Sequence, residues 1–508
     1  MAIAQRIIKN TIFLYIKMGI TVFISLYSTR LILSSLGAID FGIFNIVGGA
    51  IAMLGFLNST LANATQRFIS YSQGEKDITK QHQVFNVSII LHIIVAIITS
   101  LLLVAIVQPL FNSILNIPSE RIFASKIVYF GLIISTALTI LNAPYDAVIN
   151  AHEDMLYYSI IGILESLLRL SIAFICIYTP HDKLIVFGLC SACIPFITLT
   201  IMKIYCHTHY AECKISFRNY FDKKLLKEIS LFSGWNFMTA ISSLFSIQGV
   251  NILLNHFWGA SLNAAQGIAT QLNGQLSAFS NNMMKALNPI ITKSVGAGNI
   301  NLSSTASLKG SKFSTLLIIF FAVPCFIEMP YILHIWLKTP PDWAITFCRL
   351  ILIQTTILKM ADSFSTAIYA VGDIKNYAIY KSISNLLPIL FTYIAFSLNG
   401  SPVWLYVSLI LFWAIGGNII IIHYAHKKIG LILRQYIQEV ILPILIVSVL
   451  MLSFGYCTQF MLHSSFLRLC VSCTITSAVF IFTVWLFALS KLERNTIKEN
   501  IKFLTKNC

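Results

Sequence analysis

The chain has 508 residues, of which 57% are apolar and only 11% are Asp, Glu, Lys or Arg. Soluble globular domains carry about 25% charged residues, and the mean hydropathy of this chain is +0.80. These values exclude a soluble globular protein and indicate an integral membrane protein. A net charge of +16 on so apolar a chain indicates basic flanks that face anionic lipid, and no nucleic acid is expected as a partner.

Apolar segments of about 20 residues can cross the hydrocarbon core of a bilayer, and they must be helical because a backbone in lipid has to satisfy its own hydrogen bonds. We identify fourteen such spans, near residues 10–35, 40–64, 84–108, 122–144, 156–178, 183–204, 231–256, 262–287, 309–336, 343–370, 376–398, 402–425, 438–460 and 466–489. The sequence therefore predicts an all-α polytopic membrane protein.

The basic residues are distributed unevenly among the predicted loops. Most of them lie at the two termini and in the loops on the same side as the termini, including Lys223, Lys224 and Lys227 in the longest loop. By the positive-inside rule, both termini are expected in the cytoplasm.

An internal repeat relates the two halves of the chain. The segment from Gly37 aligns without gaps with the segment from Gly259, an offset of 222, and the segment from Ala147 aligns with that from Ala367, an offset of 220. Six spans separate the copies, so both copies run in the same direction. The repeat predicts two pseudo-symmetric six-helix lobes around a central cleft, with two C-terminal helices added.

The predicted boundaries follow from this repeat. We assign residues 1–204 to an N-terminal lobe of six spans and residues 205–230 to a basic cytoplasmic linker. Residues 231–426 form a C-terminal lobe of six spans, and residues 427–508 form the two last spans and a basic cytoplasmic tail.

Polar side chains recur on one face of the first helix of each lobe, at spacings of three and four residues. The first span carries Lys17, Thr21, Ser25 and Ser28, and its repeat partner carries Asn236, Thr239, Ser242, Ser243 and Ser246. The eighth span has a third such stripe, formed by Gln266, Thr270, Asn273, Ser277 and Asn281. Hydrogen bonding between helices is one interpretation of these stripes; for the eighth span we favour contact with water or substrate.

Ionisable residues inside spans are costly, at about 2.5–3.5 kcal/mol each on insertion scales, and therefore indicate function. We place Lys17, Glu165, Arg169, Glu328, Lys359 and Asp362 there, and add Arg30, near the outer end of its span, and His92. Spacing allows Glu165 to pair with Arg169 and Lys359 to pair with Asp362, either as structural pairs or as part of a transport site. Lys17 has no acidic neighbour in sequence and is the best candidate for contact with an anionic substrate, whereas Glu328 is the one acid without a basic neighbour.

Two Cys-x-x-Cys pairs, Cys190 with Cys193 and Cys470 with Cys473, lie inside spans. They have no second pair and no histidine cluster nearby, so we interpret them as packing residues. No metal and no cofactor are expected.

The segment from Asn10 to Ser70 resembles the start of bacterial polysaccharide transporters, the O-antigen and capsule flippases of the multidrug/oligosaccharidyl-lipid/polysaccharide (MOP) exporter superfamily. Arg30, Leu36-Gly37, Phe41-Gly42 and Gln66-Arg67-Phe68 carry this resemblance. The segment Asn142–Met155 is similar to the short cytoplasmic turn after the fourth span of that family.

The resemblance implies a flippase of the bacterial inner membrane that moves undecaprenyl-diphosphate-linked oligosaccharide to the outer leaflet by alternating access. It implies that basic residues hold the diphosphate or acidic sugars, and these would be Lys17 first, then Arg169 and Lys359, with Arg30 at the outer mouth. The partners would be the lipid-linked oligosaccharide and the bilayer, with polysaccharide polymerase machinery as a further candidate.

Two other functions are open. A multidrug or cation antiporter of the same superfamily would need unpaired carboxylates, and only Glu328 is a candidate. A membrane polysaccharide polymerase would need a sizeable outer catalytic loop or a nucleotide-sugar motif, and the sequence contains neither. A transporter is therefore favoured over an enzyme.

Overall fold

The computed structural model describes residues 2–52, 54–115, 117–491 and 493–495. These residues form nineteen α-helices joined by turns and short π-helical segments, and the described part of the chain contains no strand. The first half contains α1 (Ala2–Ala52), α2 (Gly55–Glu75), α3 (Ile78–Pro109), α4 (Ile122–Ala151), α5 (Met155–Tyr178), α6 (Lys183–His209), α7 (Phe217–Tyr220), α8 (Lys223–Trp258) and α9 (Ala260–Gly296).

The second half begins with a long helix that ends at Ile327. It contains α10 (Ile300–Ile327), α11 (Met329–Leu337), α12 (Ala344–Lys359), α13 (Asp362–Val371), α14 (Lys375–Ser397), α15 (Trp404–Ser408), α16 (Gly417–Ile429), α17 (Leu433–Tyr436), α18 (Leu442–Met461) and α19 (Phe466–Thr483). The predicted basic tail beyond residue 495 lies outside the described residues.

Twelve helical segments of the described chain are long and apolar enough to cross a membrane. They match twelve of the fourteen predicted spans. The predicted span 40–64 falls on the part of α1 that follows Gly37 and on the start of α2, and the predicted span 262–287 falls on α9. Both α2 and α9 are helical but are more polar than the rest. At the repeat offset of 222, α9 corresponds to residues 38–74, so the same position in each half is the less apolar one. The chain is a multi-pass all-α membrane protein.

Two glycines at equivalent positions of the repeat break the helices at the same point. Gly37 interrupts α1 with φ +79° and ψ 168°, and Gly259 separates α8 from α9 with φ +80°. Positive φ of this kind is open to glycine and strained for other residues. The predicted alignment of Gly37 with Gly259 is therefore accompanied by a shared backbone conformation.

The second aligned block also has matching helix boundaries. α4 ends at Ala151 and α13 ends at Val371, while α5 begins at Met155 and α14 begins at Lys375. Both differences, 371 − 151 and 375 − 155, equal 220, the offset that the sequence alignment gives. The turn between α4 and α5 therefore has its counterpart between α13 and α14.

The chain divides into two compact units. The N-terminal unit consists of residues 6–237 with residues 296–298, and the C-terminal unit consists of residues 238–295 together with the chain from residue 299 onward. The core of the N-terminal unit is formed where α1, α3, α4 and α6 pack around Val47, Val128 and Tyr129. The Tyr129 hydroxyl donates to the Leu103 carbonyl at 2.8 Å, which satisfies this buried polar group.

The core of the C-terminal unit lies between α8, α9, α12 and α15, around Leu254, Phe347 and Tyr406. The last two long helices belong to the same unit, because α18 and α19 pack against each other and against α10. The two C-terminal helices that the sequence predicts beyond the six-helix lobe therefore pack against α10.

The predicted linker is shorter in the structure, because α6 extends to His209 and α8 begins at Lys223. Its middle part is docked on the N-terminal unit, where the buried Glu212 carboxylate contacts His152 Nε2 at 2.5 Å. Burial raises the pKa of Glu212, but hydrogen bonding and charge from His152 outweigh burial and leave the pKa below its ordinary value. Asn86 fixes the next stretch by bonding the Lys214 carbonyl and the Ser216 amide.

Candidate functional site

Lys17 lies in the first half of α1 and reaches the surface of α5 within the N-terminal unit. Its Nζ lies 4.0 Å from the centroid of the Tyr158 ring. One turn further along α5, a Cβ on Gly162 would lie 2.1 Å from Lys17 Cε and 2.5 Å from Nζ. The lysine side chain therefore occupies a notch that exists only because residue 162 has no side chain.

The surroundings of Lys17 preserve its positive charge. An aromatic face attracts an ammonium through its quadrupole, by about 0.5–2 kcal/mol, without neutralising it. Within the described residues, the Lys17 ammonium contacts this ring and no carboxylate. An anion that approaches α1 and α5 can therefore still bind the full charge of Lys17.

Hydrogen bonds at the start of α1 hold the helix that carries Lys17. Asn10 donates to the Glu153 carbonyl at 3.1 Å, and the Arg6 guanidinium lies 3.0 Å from the Glu153 carboxylate. Glu153 has a φ of +61° and belongs to the turn between α4 and α5. The same turn that starts α5 thus anchors α1, which fixes Lys17 against Tyr158.

The other basic candidates of the N-terminal unit are placed differently. Arg169 pairs with Glu165 at 3.1 Å on α5, as their spacing predicts, and both side chains are exposed. Arg30 is exposed on α1. The structure therefore does not gather Arg30 and Arg169 into the notch that holds Lys17.

In the C-terminal unit, Lys359 forms the predicted pair with Asp362, at 2.6 Å. Its ammonium also donates to Asn281 Oδ1 at 2.8 Å. Asn281 is the last member of the polar stripe on α9. The positive charge of Lys359 is therefore compensated inside the unit, unlike that of Lys17.

The remaining polar residues of the α9 stripe mostly hold helices together. Gln266 accepts from the Tyr406 hydroxyl at 2.7 Å, and Asn273 accepts from the Thr355 hydroxyl at 2.6 Å. Thr270 is exposed and bonds the Gln266 carbonyl of its own helix. Gln266 and Asn273 therefore form interhelical hydrogen bonds. For the eighth span, the sequence favours contact with water or substrate instead.

Asn236 and the serines of α8 form the corresponding face of the other repeat. Asn236 is partly buried. The hydroxyls of Ser242 and Ser243 accept from Asn385 Nδ2 at 3.1 and 2.9 Å. This face also contributes to packing, since Asn385 belongs to α14.

The expectation that Glu328 is an unpaired acid is wrong. Glu328 is fully buried at the end of α10, and its carboxylate accepts from Arg468 at 2.8 Å and from Ser472 at 2.9 Å. Both partners lie on α19, about 140 residues later in the chain. Sequence spacing cannot indicate such a pair, because it depends on the packing of α19 against α10.

A second intramembrane lysine, Lys381 on α14, is absent from the sequence-based candidates. Its Nζ lies against α16, where a Cβ on Gly417 would be 2.1 Å away. The signal was available: Lys381 lies in an apolar span and has Tyr377 and Asn385 at i−4 and i+4 instead of an acid. This is the same pattern that singled out Lys17.

No group of three or more His, Cys, Asp or Glu side chains in the described part of the chain could hold a metal ion. Beside the paired acids and arginines, the polar residues inside the spans include lysines, amides and hydroxyls. Such groups can bind anions and sugar hydroxyls by hydrogen bonds and charge.

No family model and no curated protein matches the sequence. Among solved structures, an outward-facing multidrug resistance MATE family transporter of the MOP superfamily superposes with a TM-score of 0.71 at 14% identity, covering 84% of this chain and 95% of that one. This chain has the fold of the MOP superfamily transporters.

Two further structures agree with that result. A MATE protein in complex with MaD3S has a TM-score of 0.72 at 16% identity, with 84% of this chain and 96% of that chain covered. A MOP superfamily transporter from Pyrococcus furiosus, described as having a binding pocket of reversed polarity that suggests a different function, has a TM-score of 0.70 at 16% identity. The coverage is 84% of this chain and 95% of the Pyrococcus chain.

Proposed function

We propose that this protein is a flippase that moves undecaprenyl-diphosphate-linked polysaccharide repeat units, of the O-antigen or capsule type, across the bacterial inner membrane by alternating access. The observation that carries the proposal is the environment of Lys17, whose ammonium rests on the Tyr158 ring in the notch of Gly162. A diphosphate needs such a cation, because its negative charge loses its hydration when it enters the protein.

The balance of charges inside the spans supports an anionic substrate. The three acids predicted there all have basic partners: Glu165 has Arg169, Asp362 has Lys359, and Glu328 has Arg468. Each pair is neutral as a whole. The charge of Lys17 is not cancelled in this way, so the N-terminal unit offers an anion a positive site.

The other predicted substrate contacts rank below Lys17. Arg169 and Lys359 would have to leave their carboxylate partners before they could bind a phosphate. Gln266 and Asn273 would have to exchange interhelical hydrogen bonds for bonds to the glycan. Thr270 and Arg30 are exposed, so neither would have to break an ion pair or an interhelical hydrogen bond before it bound the substrate.

A second candidate is a multidrug or cation antiporter, because the fold matches multidrug resistance transporters. An organic cation needs an uncompensated carboxylate inside the protein, and the three candidate acids are compensated. The Pyrococcus transporter is described as having a binding pocket of reversed polarity and a suggested different function. A change of pocket polarity is therefore compatible with this fold, and the flippase remains our first proposal.

Replacement of Lys17 tests the proposal in cells. Lys17→Ala should reduce surface polysaccharide about tenfold or more, because a hydrogen bond to a charged group contributes about 1.5–3 kcal/mol, whereas Lys17→Arg should retain most export. Lys9→Ala, on the exposed side of the same helix, is the matched control and should export normally. Surface polysaccharide and the amount of protein in the membrane are measured together.

Normal export by Lys17→Ala would contradict the assignment of Lys17. Deletion of the protein should also leave lipid-linked repeat units on the cytoplasmic leaflet. If unpolymerised units accumulate on the outer face instead, the protein acts in polymerisation and the flippase proposal is wrong.

A further inference from the structure

The linker between α6 and α8 carries a strongly basic, exposed surface. Five basic residues and one acid lie between residues 213 and 227. The acid, Asp222, caps α8 by accepting from the backbone amides of Lys224 and Leu225 at 2.7 and 3.1 Å. Within the described residues, no carboxylate pairs with the basic side chains. All five are exposed: Lys214, Arg218, Lys223, Lys224 and Lys227.

Three large apolar side chains are exposed in the same stretch. Ile215, Phe217 and Phe221 are 43%, 42% and 48% exposed. The Phe221 amide donates to the Phe217 carbonyl at 3.2 Å, so the two rings are one helical turn apart and lie on the same side of α7. We call these three apolar residues, together with the five basic ones, the linker patch.

Contacts on the opposite side of α7 hold the linker on the N-terminal unit. The Tyr220 ring stacks on the His82 ring, with 4.6 Å between centroids, and His82 Nδ1 lies 3.2 Å from the Glu212 carbonyl oxygen. The Ser216 amide donates to Asn86 Oδ1 at 2.9 Å. The inner side of the linker is therefore anchored, and the linker patch is its outer side.

The linker patch lies next to two membrane spans. Both α6 and α8 are long and apolar enough to cross a membrane, and only residues 210–222 connect them. Aromatic side chains are enriched at the headgroup level of membrane proteins, and clustered basic residues beside a span attract anionic lipid. An exposed patch that combines both marks an interaction site for a membrane surface.

We propose that the linker patch binds anionic phospholipid headgroups of the leaflet that it faces, and that Phe217 and Phe221 insert between those headgroups. The positive-inside rule assigns this leaflet to the cytoplasm. That rule concerns only the side on which charges lie, whereas the linker patch is a defined binding surface. The proposal does not depend on the substrate and applies to a flippase and to an antiporter alike.

Charge and insertion act together in this proposal. Each basic residue near an anionic membrane surface strengthens binding roughly fivefold. Salt limits this attraction to a distance of about 10 Å at 0.1 M ionic strength, so the cations must be held close to the lipid phosphates. Insertion of the two rings keeps them close. The bound linker then holds the adjoining ends of α6 and α8 at the membrane surface.

Lysine footprinting of the full chain tests the proposal. The purified protein is placed in nanodiscs of phosphatidylcholine or of an equal mixture of phosphatidylcholine and phosphatidylglycerol, and is treated with a water-soluble amine-acetylating reagent. Mass spectrometry gives the labelling rate of each lysine. Phosphatidylglycerol should slow labelling of the four linker lysines severalfold relative to Lys9, Lys76 and Lys427, which are exposed and predicted on the same side. About 1 M salt, which shortens the screening length to about 3 Å, should remove most of this difference.

A charge variant shows whether the basic residues act as a group. With Lys223→Gln, Lys224→Gln and Lys227→Gln combined, Lys214 should be labelled nearly as fast with phosphatidylglycerol as without it. The matched control combines Lys9→Gln, Lys76→Gln and Lys427→Gln, and its linker lysines should remain protected. Thermal unfolding should be the same for both variants, because all six side chains are exposed.

An aromatic variant tests insertion separately from charge. Phe217→Ser combined with Phe221→Ser keeps all five cations and should reduce the protection by phosphatidylglycerol severalfold. Phe460→Ser is the matched control, since Phe460 is 90% exposed at the end of α18, and it should leave labelling of the linker unchanged.

Three results would overturn the proposal. The linker lysines could be labelled at the same relative rate in both lipids. Phosphatidylglycerol could slow Lys9, Lys76 and Lys427 as much as the linker lysines, which would show a general effect of surface charge. Protection could also arise only when a soluble cytoplasmic fraction is added, in which case the linker patch binds a protein and not lipid.

Discussion

The position of the Lys17 side chain depends on Gly162, which has no side chain. In the wild type, the lysine passes through the position that a methyl group on Gly162 would occupy, 2.1 Å from Cε. We expect Gly162→Ala to displace the ammonium from the Tyr158 ring and to reduce polysaccharide export severalfold. Folding should tolerate the change, because the lysine side chain is flexible and alanine favours a helix over glycine by about 1 kcal/mol.

Gly19→Ala is the matched control for this prediction. Gly19 lies on α1, two residues from Lys17, and a Cβ there would meet nothing within 4 Å. Export and the thermal unfolding of the detergent-solubilised protein are compared for the two variants. Export that is equal in both, with Gly162→Ala folded normally, would show that the position of Lys17 is not important.

At the residue scale, ion pairs between neighbours on one helix could be predicted from the sequence. Both i,i+3 and i,i+4 ion pairs, Lys359–Asp362 and Glu165–Arg169, were predictable because a helix brings those positions together. The partner of Glu328 was not, since Arg468 reaches it only through tertiary packing. Lys381 was overlooked although its sequence pattern matches that of Lys17.

At the scale of the helices, α10 is connected to the C-terminal helices at two places. Near its end, Glu328 bonds Arg468 and Ser472. Nearer its start, the buried Lys312 ammonium bonds the Glu493 carboxylate at 2.8 Å and the Ala488 carbonyl at 3.1 Å. These contacts make α19 part of the C-terminal unit.

Removal of one partner from the Glu328 pair should destabilise this helix packing. Arg468→Ala leaves a buried carboxylate without its cation, and breaking such a pair costs about 3–5 kcal/mol in free energy of unfolding. The apparent melting temperature in detergent should fall accordingly. Lys491→Ala, which removes an exposed lysine near the end of the same helices, should change the free energy by less than about 0.5 kcal/mol.

A double variant shows whether the loss comes from the unpaired charge. Glu328→Gln combined with Arg468→Ala should recover part of the stability, because no buried carboxylate remains. If Arg468→Ala unfolds at the wild-type temperature, or if the double variant is no better than the single one, the pair does not hold α19 on α10.

The helices themselves were largely predictable, because lipid requires long apolar helical segments. The regions of α2 and α9 are still apolar enough to be predicted as spans, and the repeat aligns Gly37 with Gly259, which share a positive φ. Helix ends were less predictable: α9 extends to Gly296 and α6 to His209. Hydropathy marks the membrane part of a helix and gives no signal for the polar turns that continue beyond it.

At the scale of the whole molecule, the repeat predicted two related halves, and the fold matches transporters of the MOP superfamily despite 14–16% identity. Such similarity arises because many sequences satisfy the same pattern of apolar helices and small residues. The same tolerance means that the fold does not specify the substrate. The substrate has to be inferred from the few charged and polar side chains inside the spans.

The central claim is that this interior accepts an anionic lipid-linked saccharide and not a cation. Vesicles that contain the purified protein can be given both a fluorescent undecaprenyl-diphosphate-linked saccharide and ethidium, an organic cation, in parallel measurements. We expect transfer of the lipid-linked probe between leaflets, lost in Lys17→Ala and kept in Lys17→Arg, without ethidium transport. Ethidium transport with no movement of the lipid-linked probe would contradict the account and identify a cation antiporter.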